Sequence, residues 1–463
     1  MSAGSVAGVT PAVAASAEQY FARYAEPEAT LAQAIDSRYL AALVVPARGE
    51  PATLLNGFQA ALEHAPGRVL VVLIVNATDS ASPLMHAENQ RLLEQLVHRF
   101  PDRRTLASPH SKVLGTLARA EQYDLLWLDC ASPGLRLPER TGVGSVRKLG
   151  GDLTAALWLR GQLACPRVAA TDADVTLPAD YFAKLTEDVQ EPQRSAAWLW
   201  PFRHEPGGDA NIDAATVLYE ISLRYYVLGL AAARSPYAYQ TVGSTLCIDV
   251  PAYLSVRGFP KREAGEDFHV LDKLAKVAPL RRVATTPLTI RARASDRVPF
   301  GTGRRSREIA ELSAAGRQFE LYAPAIFEAL AAVIGGLDGF ASSAQVDVID
   351  QALAERVPEL AAVSREVLRG LGVYEALRAA AAQAPPGPVL RRRVHTWFNA
   401  LRNLRFVHGL RDRGFHSLPW QDALSAASFS NQPFIDGFEP NAVCRRLSLT
   451  EAGLPPQLGP TML

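Results

Sequence analysis

Short apolar runs alternate with segments of helical spacing in the first part of the chain, and this alternation limits the folds that it can adopt. Buried strands are predicted at Tyr39–Val45, Val69–Val75, Asp124–Leu128 and Val168–Thr171. Helices are predicted between them at Thr53–His64, Ala87–Phe100 and Gly142–Trp158. Because parallel strands need long crossover connections that are usually helical, the pattern predicts an α/β fold with a mostly parallel central sheet.

The last of these strands is followed by two acidic residues, Asp172 and Asp174. Side chains two positions apart on an extended segment point to the same side. Ligands of such sheets bind outside the carboxyl ends of the strands, and Pro46–Glu50 and Asn76–Ser80 also fall at predicted strand ends. Two hard oxygen donors there predict a divalent-cation site that would hold the phosphates of a nucleotide. A solvated turn at a strand end has the same sequence pattern.

A second acidic pair, Glu266 and Asp267, follows Gly265 at the start of another predicted helix. Acidic residues in the first turn of a helix are favoured by the helix dipole alone. The functional interpretation is a general base that takes a proton from a hydroxyl group. The positive end of a helix lowers the pKa of such a base and weakens it, unless burial counteracts this effect.

Two glycine-containing segments carry arginines. Gly142–Gly151 contains Arg147 and Lys148 at a predicted helix start, where both could face a phosphate or a base ring. The segment is not a dinucleotide-binding fingerprint, because it does not follow the first strand. A later loop combines glycines with Arg293 and Arg297, which suits an anion, although a solvated basic loop is equally compatible.

The composition is that of a globular protein, with 463 residues, 48% hydrophobic and 21% charged residues and a net charge of +1. This charge predicts no general attraction to nucleic acid. No uninterrupted apolar run reaches about 18 residues, so no transmembrane segment is predicted. The four cysteines are far apart, which indicates free thiols and a cytoplasmic location.

Three parts are predicted along the chain: a flexible leader and helix at 1–37, an α/β catalytic domain at 38–305 and an all-helical C-terminal domain at 306–463. A single strand is predicted at Leu280–Ala292, near the end of the second part. The densest helix of the third part is Val394–Leu410. Its apolar face favours a core helix, and its arginines leave peripheral membrane contact open.

In chain order, six segments resemble motifs of the family 2 glycosyltransferases of the GT-A fold, over roughly residues 38–300. The segments are Val44–Glu50 (a PAYNE-type loop), Val72–Ser80 (the nucleotide loop), Gly142–Gly151 (GxxxARNxG), Thr171–Asp174 (DxD), Gly243–Tyr253 with Val256–Phe259 (the acceptor side) and Gly265–Asp267 (ED). The order of the six segments along the chain is more specific to this family than any single segment.

The resemblance implies an inverting, metal-dependent transfer of a sugar from a nucleotide-diphosphate donor to a hydroxyl acceptor. By it, Asp172 and Asp174 would hold Mg²⁺ or Mn²⁺, Asp267 would be the base and Glu266 would lie near the acceptor. The loop with Arg293 and Arg297 is expected to close over the donor diphosphate or an anionic acceptor. The expected nucleotide-sugar contacts are Pro46, Glu50, Asn76, Asp79, Arg147, Asp172, Arg293 and Arg297.

The chain departs from the family pattern at three places. The second-strand loop contains Asn76 and Asp79 instead of a DDGS-type string, so the donor nucleotide and the residue that contacts it stay open. Lys148 replaces the usual asparagine. The QxxRW motif of membrane-embedded processive synthases is absent, which predicts a soluble, non-processive enzyme.

Two alternatives remain from the sequence. One is a degenerate GT-A domain that acts as a binding or scaffold module, which the altered Asn76 loop permits. The other is a sugar-phosphate nucleotidyltransferase, which would need more glycine in its first loop than Pro46–Glu50 contains. The acceptor is not identified: a lipid-linked or surface glycan, a small solute such as a glycerate and a protein all fit. Assembly into a homo-oligomer also stays open.

Overall fold

The computed structural model describes residues 9–187, 189, 195–295, 301–430 and 438–463. The strands of this part are β1 (Ala41–Ala47), β2 (Val69–Asn76), β3 (Arg103–Leu106), β4 (Leu114–Arg119), β5 (Tyr123–Cys130), β6 (Arg167–Ala170), β7 (Val175–Thr176), β8 (Ala197–Leu199), β9 (Phe202–Glu205), β10 (Leu246–Asp249), β11 (Leu280–Arg282), β12 (Leu288–Arg291), β13 (Glu320–Leu321), β14 (Leu418–Pro419) and β15 (Gln457–Leu458).

Its α-helices are α1 (Pro11–Arg23), α2 (Gln59–Glu63), α3 (Pro83–Arg99), α4 (Val143–Leu159), α5 (Tyr181–Thr186), α6 (Ala210–Ala232), α7 (Val250–Ser255), α8 (Glu266–Leu274), α9 (Thr302–Ala314), α10 (Pro324–Ser343), α11 (Asp347–Arg356), α12 (Pro358–Gly370), α13 (Val373–Ala381), α14 (Pro388–Trp397), α15 (Ala400–Arg411), α16 (Trp420–Ala426) and α17 (Pro440–Ala452). Short 3₁₀ helices lie at Pro27–Ala34, Ala52–Phe58, Gly243–Thr245, Ser428–Ser430 and Pro460–Met462.

A ten-stranded mixed sheet forms the centre of the molecule, in the order β15-β11-β8-β10-β6-β1-β2-β5-β4-β3. Its central strands β6, β1, β2 and β5 are parallel, which confirms the predicted parallel core. On one side β10 runs antiparallel to β6 and β8, and on the other β4 runs antiparallel to β5 and β3. A small separate sheet has the order β7-β12-β9.

Both faces of the parallel core are covered. Ala42 and Val44 of β1 pack in the cluster that contains α4, whereas Leu43 and Val45 pack in the cluster on the opposite face. All four side chains are fully buried. Burial on two faces explains why these strands have continuous apolar sequences rather than alternating ones. Each buried valine or leucine contributes roughly 1.5–3 kcal/mol of transfer free energy.

The edge hairpin of β3 and β4 was not expected from the sequence. Three of the four β3 residues are exposed, and β4 mixes exposed and buried positions. Because an edge strand buries little surface, its apolar signal is weak. The hairpin extends the sheet beyond β5 and does not reach the strand ends that carry the acidic residues.

Two predicted elements are wrong as single units. Leu280–Ala292 is divided between β11 and β12, which lie in different sheets. Pro287, directly before β12, has no N–H for a strand ladder. The predicted helix Val394–Leu410 is divided between α14 and α15. The side chain of Asn399 accepts a hydrogen bond from the Arg402 N–H at 3.1 Å and so caps the start of α15.

Helices predominate from α9 onward, as predicted, but the end of the chain returns to the main sheet. There β15 pairs with β11, and α17 packs on α6. The predicted boundary between residues 305 and 306 falls within α9. The division into domains stays a prediction.

Within the described ranges, α10 is the helix whose length and apolar composition would suffice to cross a membrane. However, 61% of its most apolar stretch is buried inside the molecule. It packs against α11 and α14. Core helices of globular proteins have the same properties.

Close packing of α4 on β1 depends on Gly150, and this contact can be tested. A Cβ atom at Gly150 would lie 2.3 Å from Val44 Cγ1. We expect Gly150→Ala to lower the free energy of unfolding by about 1–3 kcal/mol, because neighbouring core side chains must move. Urea denaturation measures the change.

The control is Gly370→Ala at the end of α12, where the added Cβ would have no described neighbour within 4 Å beyond the adjacent residues and backbone of its own helix. This variant should be neutral or gain up to about 1 kcal/mol of stability. An equal loss of stability in both variants would contradict the packing argument.

Candidate active site

The predicted strand-end residues lie at one edge of the sheet. Since β6, β1 and β2 are parallel neighbours, their carboxyl ends meet there. Asp172 and Asp174 follow β6, Glu50 follows β1, and Asn76 is the last residue of β2. Tertiary contacts then bring two distant arginines and the start of α8 to this edge.

Arg147 of α4 links the two acidic motifs. Its Nη2 donates to Asp172 Oδ1, and its Nη1 donates to Glu266 Oε1. Arg147 and Glu266 are only 3% and 2% exposed. Burial alone would lower the pKa of Arg147, but the charges of Asp172, Glu266 and Asp267 outweigh it and raise the pKa. The guanidinium therefore stays charged and holds the two carboxylates together.

The glycines around Arg147 allow this contact. A Cβ at Gly144 would lie 2.3 Å from the Pro260 carbonyl oxygen and 2.9 Å from Glu266 Cβ. A Cβ at Gly243 would lie 2.6 Å from Arg147 Nη1. The glycine-rich start of α4 thus serves close packing against the segment before α8. Arg147 is buried and faces the carboxylates of Asp172 and Glu266.

A second arginine binds the other aspartate. Arg293, two residues after β12, contacts Asp174 Oδ2 through Nε at 2.7 Å. Its terminal nitrogens contact the Glu50 carboxylate at 2.8 and 3.0 Å. Burial raises the pKa of Asp174, and the charge of Arg293 partly offsets that rise. Each carboxylate of the Asp172–Asp174 pair therefore has its own arginine partner.

Asp267 differs from its neighbour Glu266 because no described side chain forms a salt bridge with it. Gly265 precedes α8 with a φ of 72°, a conformation that suits glycine, and so directs both acidic residues into the first turn. Burial and the charge of Glu266 raise the pKa of Asp267 to about 7. Burial thus outweighs the lowering that the charge of Arg147 and the hydrogen bond from the Phe268 N–H cause. A carboxylate with this pKa can accept a proton near neutral pH.

The remaining predicted residues lie near β1 and β2. Pro46 is within β1, opposite Ile74. The Asn76 amide donates to the carbonyl oxygens of Ala47 and Ile74 at 2.9 and 3.1 Å. The Asp79 side chain is 78% exposed and pairs with Arg136 at 2.9 Å. Asn76 therefore joins the ends of two strands, whereas Asp79 is accessible to a ligand. Arg297 lies outside the described residues.

The donor set at this edge fits a cation that arrives together with phosphate. Mg²⁺ is usually bound by one or two carboxylates plus substrate phosphates and water. Asp172 and Asp174 are two such carboxylates, and each has one oxygen engaged by an arginine. No group of three or more His, Cys, Asp or Glu side chains with metal-binding geometry occurs among the described residues. A cation held by these two carboxylates would need further ligands, such as phosphate oxygens or water.

Sequence reasoning missed a buried polar cluster that positions α4. Lys148 Nζ lies 3.1 Å from Asp152 Oδ2, one helical turn away. The hydroxyls of Tyr20 and Tyr253 donate to Asp152 Oδ1 at 2.5 and 2.7 Å. The spacing of four residues between Lys148 and Asp152, which suits an ion pair on one helix face, was the sequence signal that could have indicated this cluster. The cluster ties α1 and α7 to the helix that carries Arg147.

No protein-family model and no curated protein matches the chain. Among solved structures, it is similar to the mannosyltransferase PcManGT from Pyrobaculum calidifontis in complex with GDP-Man and Mn²⁺. The identity is 16% and the TM-score 0.31, over 87% of this chain and 96% of that chain. A TM-score this low does not establish a shared fold, so the likeness assigns neither a family nor a substrate.

The buried Arg147 bridge predicts a large stability change. We expect Arg147→Met to lower the free energy of unfolding by roughly 3–5 kcal/mol, because Glu266 would be left buried without a counter-charge. Adding Glu266→Gln should recover part of the loss, since a neutral amide needs no counter-charge. Chemical denaturation at neutral pH measures both variants.

Arg136→Met serves as the matched control, because the partner of Arg136 is the exposed Asp79. Arg136→Met should lower the free energy of unfolding by about 0–1 kcal/mol. Comparable losses for Arg136→Met and Arg147→Met would show that the buried bridge is not a special determinant of stability.

Proposed function

We propose that the chain is an inverting glycosyltransferase of GT-A type, which moves a sugar from a nucleotide-diphosphate donor to a hydroxyl acceptor. The observation that carries the proposal is the convergence of two acidic motifs at the carboxyl edge of the parallel strands. Arg147 joins Asp172 of the first motif to Glu266 of the second. A donor held by the first motif would therefore lie beside a base supplied by the second.

The donor site is assigned to the strand ends. Asp172 and Asp174 would hold Mg²⁺ or Mn²⁺ with the diphosphate, and the cation, when bound, would offset the charge of the leaving group. Pro46, Glu50 and the accessible carboxylate of Asp79 would line the nucleoside side. Arg293 already binds Glu50 and Asp174. Its guanidinium also suits the donor phosphates.

Asp267 is the proposed base. Its raised pKa of about 7 suits proton transfer at neutral pH. Glu266 is less suited, because the buried Arg147 binds its carboxylate. In the proposed step, the acceptor oxygen forms a bond to the anomeric carbon as the bond from that carbon to the diphosphate breaks. Asp267 takes the hydroxyl proton, and the nucleoside diphosphate leaves with the electron pair.

The second candidate is a binding or scaffold module without catalysis. It is favoured by one observation: both aspartates of the Asp172–Asp174 pair already have arginine partners. Such a module would bind a nucleotide sugar without consuming it, or would bind none. The nucleotidyltransferase alternative lacks support, because the loop after β1 has a single glycine, Gly49.

A panel of nucleotide sugars with Mn²⁺ separates the two candidates. We expect one donor to release free nucleoside diphosphate slowly, with water as acceptor, and a chelator to stop the release. Asp174→Asn should reduce the rate by roughly 10²-fold or more, because one of two carboxylate ligands is lost. A nucleotide-release assay measures the rate.

Asp102→Asn is the control, since Asp102 is exposed and lies beside the distant edge strand β3. It should keep the rate of the unaltered protein. Binding of a donor without any turnover, or no binding of any donor, would favour the module and reject the transferase.

The raised pKa of Asp267 predicts the pH dependence. A base works only when deprotonated, so kcat/KM for donor hydrolysis should rise with pH and level off above about 7. Below that midpoint the rate should fall about tenfold per pH unit. Asp267→Asn should lower kcat/KM roughly 10²–10⁴-fold and should abolish its dependence on pH.

The thermal midpoint of Asp267→Asn, measured in parallel, verifies that the variant is folded. A pH profile that is flat across the neutral range in the unaltered protein would rule out Asp267 as the base.

A further inference from the structure

One arginine joins carboxylates from two strand ends at the edge of the sheet to which the donor site is assigned. Arg293, two residues after β12, contacts Asp174 Oδ2 through Nε at 2.7 Å. Its two terminal nitrogens contact the two carboxylate oxygens of Glu50 at 2.8 and 3.0 Å. All three nitrogens of the guanidinium are therefore engaged, and the contact with Glu50 has the bidentate geometry that arginine forms with carboxylates.

The position between these two carboxylates requires a positive charge. The side chains of Glu50, Asp174 and Arg293 are 7%, 17% and 32% exposed. Carboxylates that are largely withdrawn from water repel each other more strongly than they do in solvent, and a buried charge without a partner is costly. Asp174 and Glu50 contact the same guanidinium and so lie close together. Arg293 is the cation that the chain itself supplies to them.

The two arginines at this edge differ in their freedom to move. The Arg147 side chain is 4% exposed and packs against Gly243, where an added Cβ would lie 2.6 Å from Arg147 Nη1. The Arg293 side chain is about one-third exposed and follows the end of a strand in the small β7-β12-β9 sheet. Exposed side chains change rotamer within nanoseconds. Arg293 can therefore exchange partners on the solvent side, whereas Arg147 is fixed by packing.

A divalent cation and Arg293 would use the same carboxylate oxygens. In the proposed function Asp174 is a cation ligand, and Arg293 Nε binds its Oδ2. Mg²⁺ and Mn²⁺ bind through the same oxygen lone pairs that accept hydrogen bonds from a guanidinium. The two positive charges would also repel each other in a partly buried site. Cation binding at Asp174 therefore competes with Arg293.

A nucleoside diphosphate changes this balance. Its phosphate oxygens are preferred partners of arginine, which forms bidentate contacts with phosphate as it does with carboxylate. The same oxygens complete the coordination of a cation that has only one or two carboxylate ligands. The diphosphate thus offers Arg293 a replacement for Asp174 and Glu50, and it offers the cation its remaining ligands.

We propose that Arg293 is an internal counter-ion of the donor site, which competes with the divalent cation for Asp174 until a nucleoside diphosphate binds the guanidinium. The inference rests on the proposed function, because it takes Asp174 as a cation ligand. It adds a regulation of that site: the cation and the diphosphate bind together, and each raises the affinity for the other by the same factor. Free cation alone is a poor ligand of the protein.

Titration with Mn²⁺ alone tests the competition. We expect Arg293→Met to bind Mn²⁺ at least about tenfold more tightly than the unaltered protein, because the released carboxylates then lack a counter-charge. The electron paramagnetic resonance signal of free Mn²⁺ measures the binding in the absence of nucleotide. Mn²⁺ should also raise the thermal midpoint of Arg293→Met more than that of the unaltered protein.

The matched control is Arg291→Met, two residues earlier in the chain, because the Arg291 guanidinium donates to the Gly207 carbonyl oxygen at 3.0 Å. This variant removes the same charge close to the site but releases neither carboxylate, so its Mn²⁺ affinity should equal that of the unaltered protein. If Arg293→Met does not fold, Arg293→Lys replaces it. A gain in Mn²⁺ affinity is again required, since one ammonium group does not reproduce the fork that holds both carboxylates.

Titrations with Mn²⁺ in the presence of GDP, UDP, ADP, CDP or dTDP test the link to the diphosphate, after correction for the complex that each nucleotide forms with Mn²⁺ in solution. In the unaltered protein, at least one of them should raise the Mn²⁺ affinity by about 5–150-fold. In Arg293→Met the increase should be smaller, because the cation no longer has to displace a guanidinium. An equal increase in the two proteins, or no increase with any of these diphosphates, would overturn this link.

Equal Mn²⁺ affinities of Arg293→Met and Arg291→Met would overturn the competition itself. None of these titrations involves sugar transfer, so they are independent of the nucleotide-release assay. A protein that turns over a donor but gains no Mn²⁺ affinity from Arg293→Met loses only the proposed role of Arg293. One that gains this affinity but turns over no donor loses the proposed transferase function.

Discussion

The buried guanidinium of Arg147 is the contact on which the candidate active site depends. A buried charge is tolerated only when it is paired, because transfer from water to the interior costs several kcal/mol. Asp172 and Glu266 provide the pairing from two segments far apart in the chain. Glycines at positions 144 and 243 leave the space for it. The buried Lys148–Asp152 pair and two tyrosine hydroxyls then fix the helix that presents the arginine.

This pairing also separates the roles of the two acidic residues in α8. Glu266 is buried against Arg147, so its charge is compensated. Burial and, to a smaller extent, the charge of Glu266 raise the pKa of Asp267 to about 7, and the charge of Arg147 only partly offsets this rise. The two adjacent carboxylates therefore lie in different environments, although they share the first turn of α8. In the proposed function, Glu266 positions the site and Asp267 exchanges the proton.

Helix α6 connects the sheet to the helical part of the molecule. Arg224 of α6 binds Glu220 at 2.6 Å and Glu451 of α17 at 2.8 Å. Burial alone would raise the pKa of Glu220, but the hydrogen bond from His204 and the charge of Arg224 lower it to about 2. This network fixes α6 between β9 and α17. The helical part is therefore more than an appendage, because Glu451 of α17 completes this buried network.

The sequence alone determined the parallel core, since strands buried on both faces need continuous apolar runs, and it determined that Asp172, Glu50 and Asn76 lie at the carboxyl ends of such strands. The edge hairpin and the break at Asn399 escaped prediction because exposed edges and caps leave little apolar signal. Only the tertiary structure decided the direction of Arg147. That Arg147 approaches a nucleotide stays a prediction from the sequence, whereas its pairing with Asp172 and with Glu266, 119 residues away, is visible only in the folded chain. The direction of the Arg147 side chain depends on which distant segments pack against the glycines around it. A local sequence pattern does not specify those segments.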